Sequence, residues 1–307
     1  MKNCPVYLKS PVDAFTVTET HLEPLRRAFP EWRFENCVSR EAFIEKLAAA
    51  DAVITWTFKA EWYALAPRLT AVFTPAAGRE WIAADPSSRV RHLFGHFHGT
   101  IMRESLLWMM LHFTRAMSKP LEQHHAHVWE RNGLSSSRLL TGKRVLIIGY
   151  GAIGKQCGRM LSALGCTVVG AGRQAHQSDG NAEKIISFTD IKTELPLADH
   201  VVFILPGGSD TDGIFTREHF EAMRSDAYLY NIGRGNCYRE EELVRALESG
   251  IIAGAGLDVF GEEPLSPLSR LWNLPNVLLL PHASAICREY MPYYIEELII
   301  DFASNTE

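Results

Sequence analysis

Residues 144–161 read RVLIIGYGAIGKQCGRML, with Gly149, Gly151 and Gly154 in G-x-G-x-x-G register. That spacing is weak evidence alone, but here it follows the apolar run 145–148 and opens a helix-compatible stretch, the setting a dinucleotide site requires. At such a junction the first glycine permits a tight turn and the second lets backbone approach a pyrophosphate. The third allows close helix packing, and the free N–H groups of the helix N-terminus face the phosphates. The next strand, residues 167–171, bears on the adenosine ribose. A site for NAD places Asp or Glu at its end, whereas this chain has Gly172–Arg173–Gln174. No carboxylate at that strand end repels a 2′-phosphate, and the planar fork of Arg173 can pair with one, so NADP(H) is expected over NAD(H). Three more chemistry-bearing side chains follow apolar strands: Arg234 in NIGRG, Glu263 in GAGLDVFGEEP and His282 in LLLPHAS. A guanidinium, a carboxylate and an imidazole thus stand where parallel sheets gather their ligands, at the strands' carboxyl ends.

The elements that must position these groups follow from periodicity. In the first hundred residues, strands are expected at 6–8, 33–35, 52–55 and 69–74, and helices at 19–29 and 40–50, the latter with Phe43, Ile44 and Leu47 on one face. This β–α order predicts a small parallel-sheet domain. Residues 102–117 read as one long helix, apolar on more than one face and so buried by several partners, a second subunit among them. Residues 123–142 are polar and rich in His and Ser, and read as a connecting arm. From Lys143 strands and helices alternate again, and 288–303 reads as a helix that returns to the first domain. The expected fold is α/β, with two Rossmann-like doubly wound parallel-sheet domains. The substrate domain (1–101 plus 285–307) is discontinuous, and the dinucleotide domain spans 102–284.

Together the glycine motif, Leu205–Pro206, Thr211, NIGRG, LDVF..EP and the final Pro-His resemble the D-isomer-specific 2-hydroxyacid dehydrogenase family, over roughly residues 139–285. The resemblance implies a nicotinamide-dependent oxidoreductase acting on a small 2-oxo or 2-hydroxy acid, similar to the glyoxylate/hydroxypyruvate reductases. It implies that Arg234 holds the substrate carboxylate and polarises its carbonyl, work suited to a guanidinium. His282 would exchange the proton, and Glu263, immediately before the proline, would favour the charged imidazole and fix its tautomer. Asp258 would hold the nicotinamide carboxamide. Cofactor contacts are implied for Gly149, Gly151, Ala152, Ile153, Gly154, Arg173, Leu205, Pro206, Thr211, Ile232, Asp258 and Ser284. Substrate contacts are implied for Ala77, Gly78, Arg79 and Arg234. A homodimer is expected as well. Other readings are an NAD-linked dehydrogenase running toward oxidation and a dinucleotide-sensing binding protein of the corepressor kind. Gly172–Arg173 opposes the first, and the full Arg–Glu–His set opposes the second.

The chain departs from the family in TPAAGREWI, where Ala76 replaces a common glycine and Arg79 a common apolar residue. Arg79 either adds positive charge for a doubly anionic substrate or points outward to pair with Glu80 or Glu104. His96 and His98 lack further ligands, so no metal is expected. His124, His125 and His127 read as solvated, Trp129 as packed, and Trp56, Phe58 and Trp81 as core more than cleft wall. The 307 residues suit two domains, and 47% hydrophobic with 22% charged residues is an ordinary globular balance. A net charge of -5 with pI near 6.2 gives no electrostatic reason for nucleic acid or an anionic membrane as partner. The start does not read as a signal peptide, no apolar run is of membrane-spanning length, and six cysteines lack CxxC spacing. A cytoplasmic enzyme with reduced thiols is the expectation.

Overall fold

The computed structural model describes residues 1–305. The chain divides into two compact units, one of Met1–His98 with the segment from Ile286 onward, the other of Gly99–Ala285.

The first unit carries the strands β1 (Lys2–Tyr7), β2 (Trp32–Asn36), β3 (Ala52–Thr55), β4 (Ala71–Thr74) and β5 (Arg91–Phe94), with the helices α1 (Glu19–Ala28) and α2 (Arg40–Lys46). They form one parallel sheet in the order β2-β1-β3-β4-β5. β3 and β4 are buried along their whole length, which is why they read as unbroken apolar runs. β5, RHLF, escaped the periodicity reading because it is a half-covered edge strand with only two apolar residues. The helix expected over 40–50 ends early, its last residues tightening into a 3₁₀ turn at Leu47–Ala49.

In the second unit, α3 (His98–Thr114, whose first residue belongs to the first unit) and α4 (Ser118–Ala126) precede the sheet. Its strands are β6 (Arg144–Ile148), β7 (Thr167–Gly172), β8 (Lys184–Ser187), β9 (His200–Phe203), β10 (Tyr228–Asn231), β11 (Gly254–Leu257) and β12 (Val277–Leu279). The helices among them are α5 (Ala152–Ala163), α6 (Ile191–Glu194), α7 (Arg217–Ala222) and α8 (Glu240–Glu248). All pairings are parallel, in the order β12-β11-β10-β9-β6-β7-β8. The order reverses between β6 and β9, the switch point at which such sheets bind ligands. α3 buries Leu106, Met109 and Met110 against Val145, Ile147, Val202 and Tyr230, while Trp108 on its other face is half exposed. The polar arm expected from residue 123 is partly wrong. Its first residues complete α4, which closes at the left-handed His127.

The C-terminal helix α9 (Tyr290–Asn305) belongs to the first unit. Phe302 lies 5.0 Å from Phe29, 4.8 Å from Trp32 and 5.0 Å from Phe73, an aromatic cluster that fastens the helix to the sheet. The two histidines weighed as a metal pair are structural parts of this seam. The His96 N–H donates to Glu297 Oε1 at 2.7 Å, and His98 Nε2 lies 3.0 Å from the Tyr290 hydroxyl. Among the described residues, no group of three or more His, Cys, Asp or Glu is placed to share a metal, and no helix is long and apolar enough to cross a membrane.

Candidate active site

The turn after β6 is shaped by what its glycines avoid. Gly149 has φ +102°, and a Cβ there would run into the Ile204 carbonyl, so no L side chain fits. The Gly149 and Tyr150 N–H groups both donate to the Ala171 carbonyl at 3.0 Å, tying the turn to β7. Gly151 caps α5, and a Cβ there would meet nothing within 4 Å. The backbone at the mouth of this helix is therefore open, as a pyrophosphate cradle must be. Ala152 is exposed and Ile153 half-buried beside it, and Gly154 packs against the Gly149 carbonyl.

Arg173, at the end of β7, is 83% exposed, and its Nη2 lies 4.0 Å from Asp210 Oδ2. The local sequence offered no carboxylate to repel a 2′-phosphate, but the fold brings one in from the loop after β9. Thr211, in the same loop, is buried. Its hydroxyl donates to the carbonyls of Pro206 (2.8 Å) and Gly208 (2.9 Å), so it closes the loop that Leu205 and Pro206 open. Leu205 and Ile232 are buried at the ends of their strands.

Arg234, Glu263 and His282 follow β10, β11 and β12, three neighbouring parallel strands. Their loops interlock: a Cβ at Gly235 would overlap the Phe260 backbone. The half-buried Arg234 donates from Nη1 to the Gly233 carbonyl at 2.9 Å. Beneath it, buried Asn231 accepts from the Gly233 N–H at 3.0 Å. Its amide donates to the Arg234 carbonyl and the Tyr238 hydroxyl, each at 3.0 Å. Sequence reasoning passed over Asn231, although a polar residue ending an apolar strand was the available signal. Glu263 accepts from the Phe260 N–H through Oε1 (3.0 Å) and meets His282 Nδ1 with Oε2 (2.7 Å). Its neighbour Glu262 is exposed. The pair engages Nδ1 and leaves Nε2 as the ring nitrogen turned away from Glu263.

Asp258, expected to face the nicotinamide carboxamide, is fully buried, with both oxygens turned into the segment after His282. Oδ1 accepts the Ala283 N–H at 2.6 Å and Oδ2 the Ser284 N–H at 3.0 Å. The buried Ser284 also gives its carbonyl to the Ser105 hydroxyl at 2.9 Å.

In the first unit, the loop after β4 carries Ala77 and Gly78, and the Arg79 guanidinium lies 5.6 Å from the Phe94 ring centre. Phe58 is buried, Trp56 donates from Nε1 to the Phe15 carbonyl at 3.1 Å, and Trp81 is half exposed. Trp129 was expected to pack but is 88% exposed within this chain.

Comparison with known proteins agrees with this geometry. Residues 107–284 match the model of the D-isomer specific 2-hydroxyacid dehydrogenase NAD binding domain. The chain is 28% identical to a glyoxylate reductase of Thermococcus onnurineus over 94% of its own length and 91% of that protein. It is 30% identical to glyoxylate/hydroxypyruvate reductase B of Pectobacterium carotovorum over 73% of its length and 72% of that protein. Among solved structures, an NADPH-dependent glyoxylate/hydroxypyruvate reductase from Sinorhizobium meliloti, in complex with NADP and sulfate, superposes with TM-score 0.76. The identity is 26%, covering 99% of this chain and 96% of that one. With its parallel sheet, its open glycine turn and its Arg–Glu–His strand ends, the chain belongs to the D-isomer-specific 2-hydroxyacid dehydrogenase family.

Proposed function

We propose that this protein is a 2-oxoacid reductase of the glyoxylate/hydroxypyruvate type that uses NADP(H) in preference to NAD(H). The observation that carries the reading is the 2.7 Å contact between His282 Nδ1 and Glu263, on a strand end next to that of Arg234. A bound reduced nicotinamide supplies the hydride. The chain's own groups do the rest. Arg234 grips the substrate carboxylate and draws charge toward the carbonyl oxygen. His282 Nε2 delivers a proton to that oxygen, and Glu263 keeps Nδ1 protonated and compensates the imidazolium.

Gly149, Gly151, Ala152, Ile153 and Gly154 are the proposed pyrophosphate turn, with Leu205, Pro206, Thr211, Ile232 and Ser284 bordering the nicotinamide end. Arg173 is the proposed partner of the 2′-phosphate. Ala77 and Gly78 offer backbone N–H groups, and Arg79 a guanidinium, as further substrate-binding groups of the first unit. The exposed Leu121, Val128 and Trp129 support a homodimer that covers them. Six free thiols, five of them buried, suit a cytoplasmic protein.

Oxidation of NADPH and NADH, followed at the nicotinamide absorbance with a panel of 2-oxo acids, tests the reading. Turnover with glyoxylate and hydroxypyruvate is expected, faster with NADPH. His282→Ala is expected to lower it by ~10²–10⁴ with NADPH affinity retained. Cofactor binding without turnover of any 2-oxo acid would favour a dinucleotide sensor instead.

A further inference from the structure

His282 adopts φ +51°, a left-handed conformation that residues other than glycine seldom take. Such a backbone persists where its surroundings over-determine it, and here they do. The His282 N–H donates to the Asp258 carbonyl at 2.9 Å, and the next two N–H groups, of Ala283 and Ser284, end on the two oxygens of the same residue's side chain. Asp258 is in turn fixed to β10, its own N–H donating to the Asn231 carbonyl at 2.9 Å. From α3, the Ser105 hydroxyl holds the far side of the segment through the Ser284 carbonyl.

A fully buried carboxylate is costly unless it is compensated, and two adjacent N–H donors call for two acceptors. Asparagine would offer one acceptor and turn an N–H toward the second donor. The side chain chosen at this position is therefore the one that can close the turn carrying the histidine.

We propose that Asp258 and Ser105 are positioning residues for proton transfer. Together they hold residues 282–284, left-handed at His282, through the N–H groups and the last carbonyl of the segment, and so fix the direction of the imidazole. The idea rests on reading His282 as the proton donor. It gives Asp258 a duty separate from any grip on the cofactor, and assigns Ser105 a part in the reaction although it lies far from the strand ends in sequence.

The test combines a backbone readout with kinetics. In Asp258→Asn, hydrogen exchange at the Ala283 and Ser284 amides should quicken at least tenfold. kcat at saturating NADPH should fall ~10–100-fold, the scale of loss that a misplaced catalytic group brings. Ser105→Ala should lower kcat ~3–10-fold, and Ser105→Thr, which keeps the hydroxyl, should restore it. Should Asp258→Asn fail to fold, the Ser105 pair decides alone. Weakened NADPH binding with unchanged kcat in Asp258→Asn would make the residue a cofactor ligand and overturn the proposal. So would wild-type kcat in Ser105→Ala, or wild-type amide exchange in Asp258→Asn. Because the exchange measurement needs no substrate, its failure is distinct from failure of the reductase reading, which would show as wild-type protein that turns over no 2-oxo acid.

Discussion

A 4.0 Å separation between Arg173 and Asp210 places two opposed preferences at one spot on the dinucleotide unit. The guanidinium attracts a 2′-phosphate and the carboxylate repels it. Both side chains are more than four-fifths exposed, so their mutual attraction adds little to stability and both stay available to a ligand. Opposite effects are therefore expected from the two positions. Arg173→Asp should move the NADPH-to-NADH ratio of kcat/KM at least tenfold toward NADH, and Asp210→Asn should move it ~2–5-fold toward NADPH, a gap that narrows as salt rises. Steady-state kinetics with both cofactors at low and high ionic strength measure this. A ratio unmoved by either substitution would remove both residues from cofactor selection. The same scale shows what Asp258 does within the chain besides the cofactor contact that the resemblance implies. It is fully buried, and both of its oxygens accept main-chain N–H groups, which the sequence does not display.

At the scale of elements, the junction of β6 and α5 separates two kinds of glycine. Gly149 is required by the fold, through its positive φ and the nearby Ile204 carbonyl, whereas Gly151 opens onto unfilled space. Gly149→Ala should cost about 2 kcal/mol or more of stability. Gly151→Ala should leave Tm within about 2 °C of wild type but weaken NADPH binding at least tenfold. Thermal melts with and without NADPH distinguish the two. At the start of β9, the buried His200 has Nδ1 3.2 Å from the Tyr230 hydroxyl, and burial lowers its pKa to about 4. Asp199, Lys143, Arg138 and Asp226 are the charged groups near it. Its folded pKa lies below the unfolded value, so between the two the unfolded chain takes up the proton and the folded chain does not. The contribution of His200 is whole above the ordinary imidazole range and fades as pH falls toward 4, by about 3 kcal/mol at most. His200→Gln should flatten this acid limb. Urea midpoints between pH 7.5 and 4.5 would show it, and an unaltered slope would place the acid sensitivity elsewhere.

For the whole molecule, the apolar residues that stay exposed on the α3–α4 region of the second unit matter most. Trp108, Leu121, Val128 and Trp129 stay half or more exposed within the chain, although the composition is otherwise that of an ordinary globular protein. A second copy is the proposed cover. Trp129→Glu combined with Leu121→Glu should reduce the light-scattering mass to the 34.5 kDa of one chain. An undiminished dimer would place the interface on another face.

What the amino-acid sequence determined by itself was local. The glycine turn, the apolar strands that end at Arg234, Glu263 and His282, and the two parallel sheets were legible because each is written in a short run of neighbouring residues. The edge strand β5 was missed for the same reason: half-covered, it lacks a continuous apolar run. Tertiary structure alone decided which distant groups meet those runs. Asp210 faces Arg173 from another loop, Asn231 holds the Arg234 backbone, and the Ser105 hydroxyl closes on a carbonyl 179 residues away. Hydrogen bonds and charges act through space over a few ångströms, so partners from separate strands and helices appear only once packing has brought their elements together.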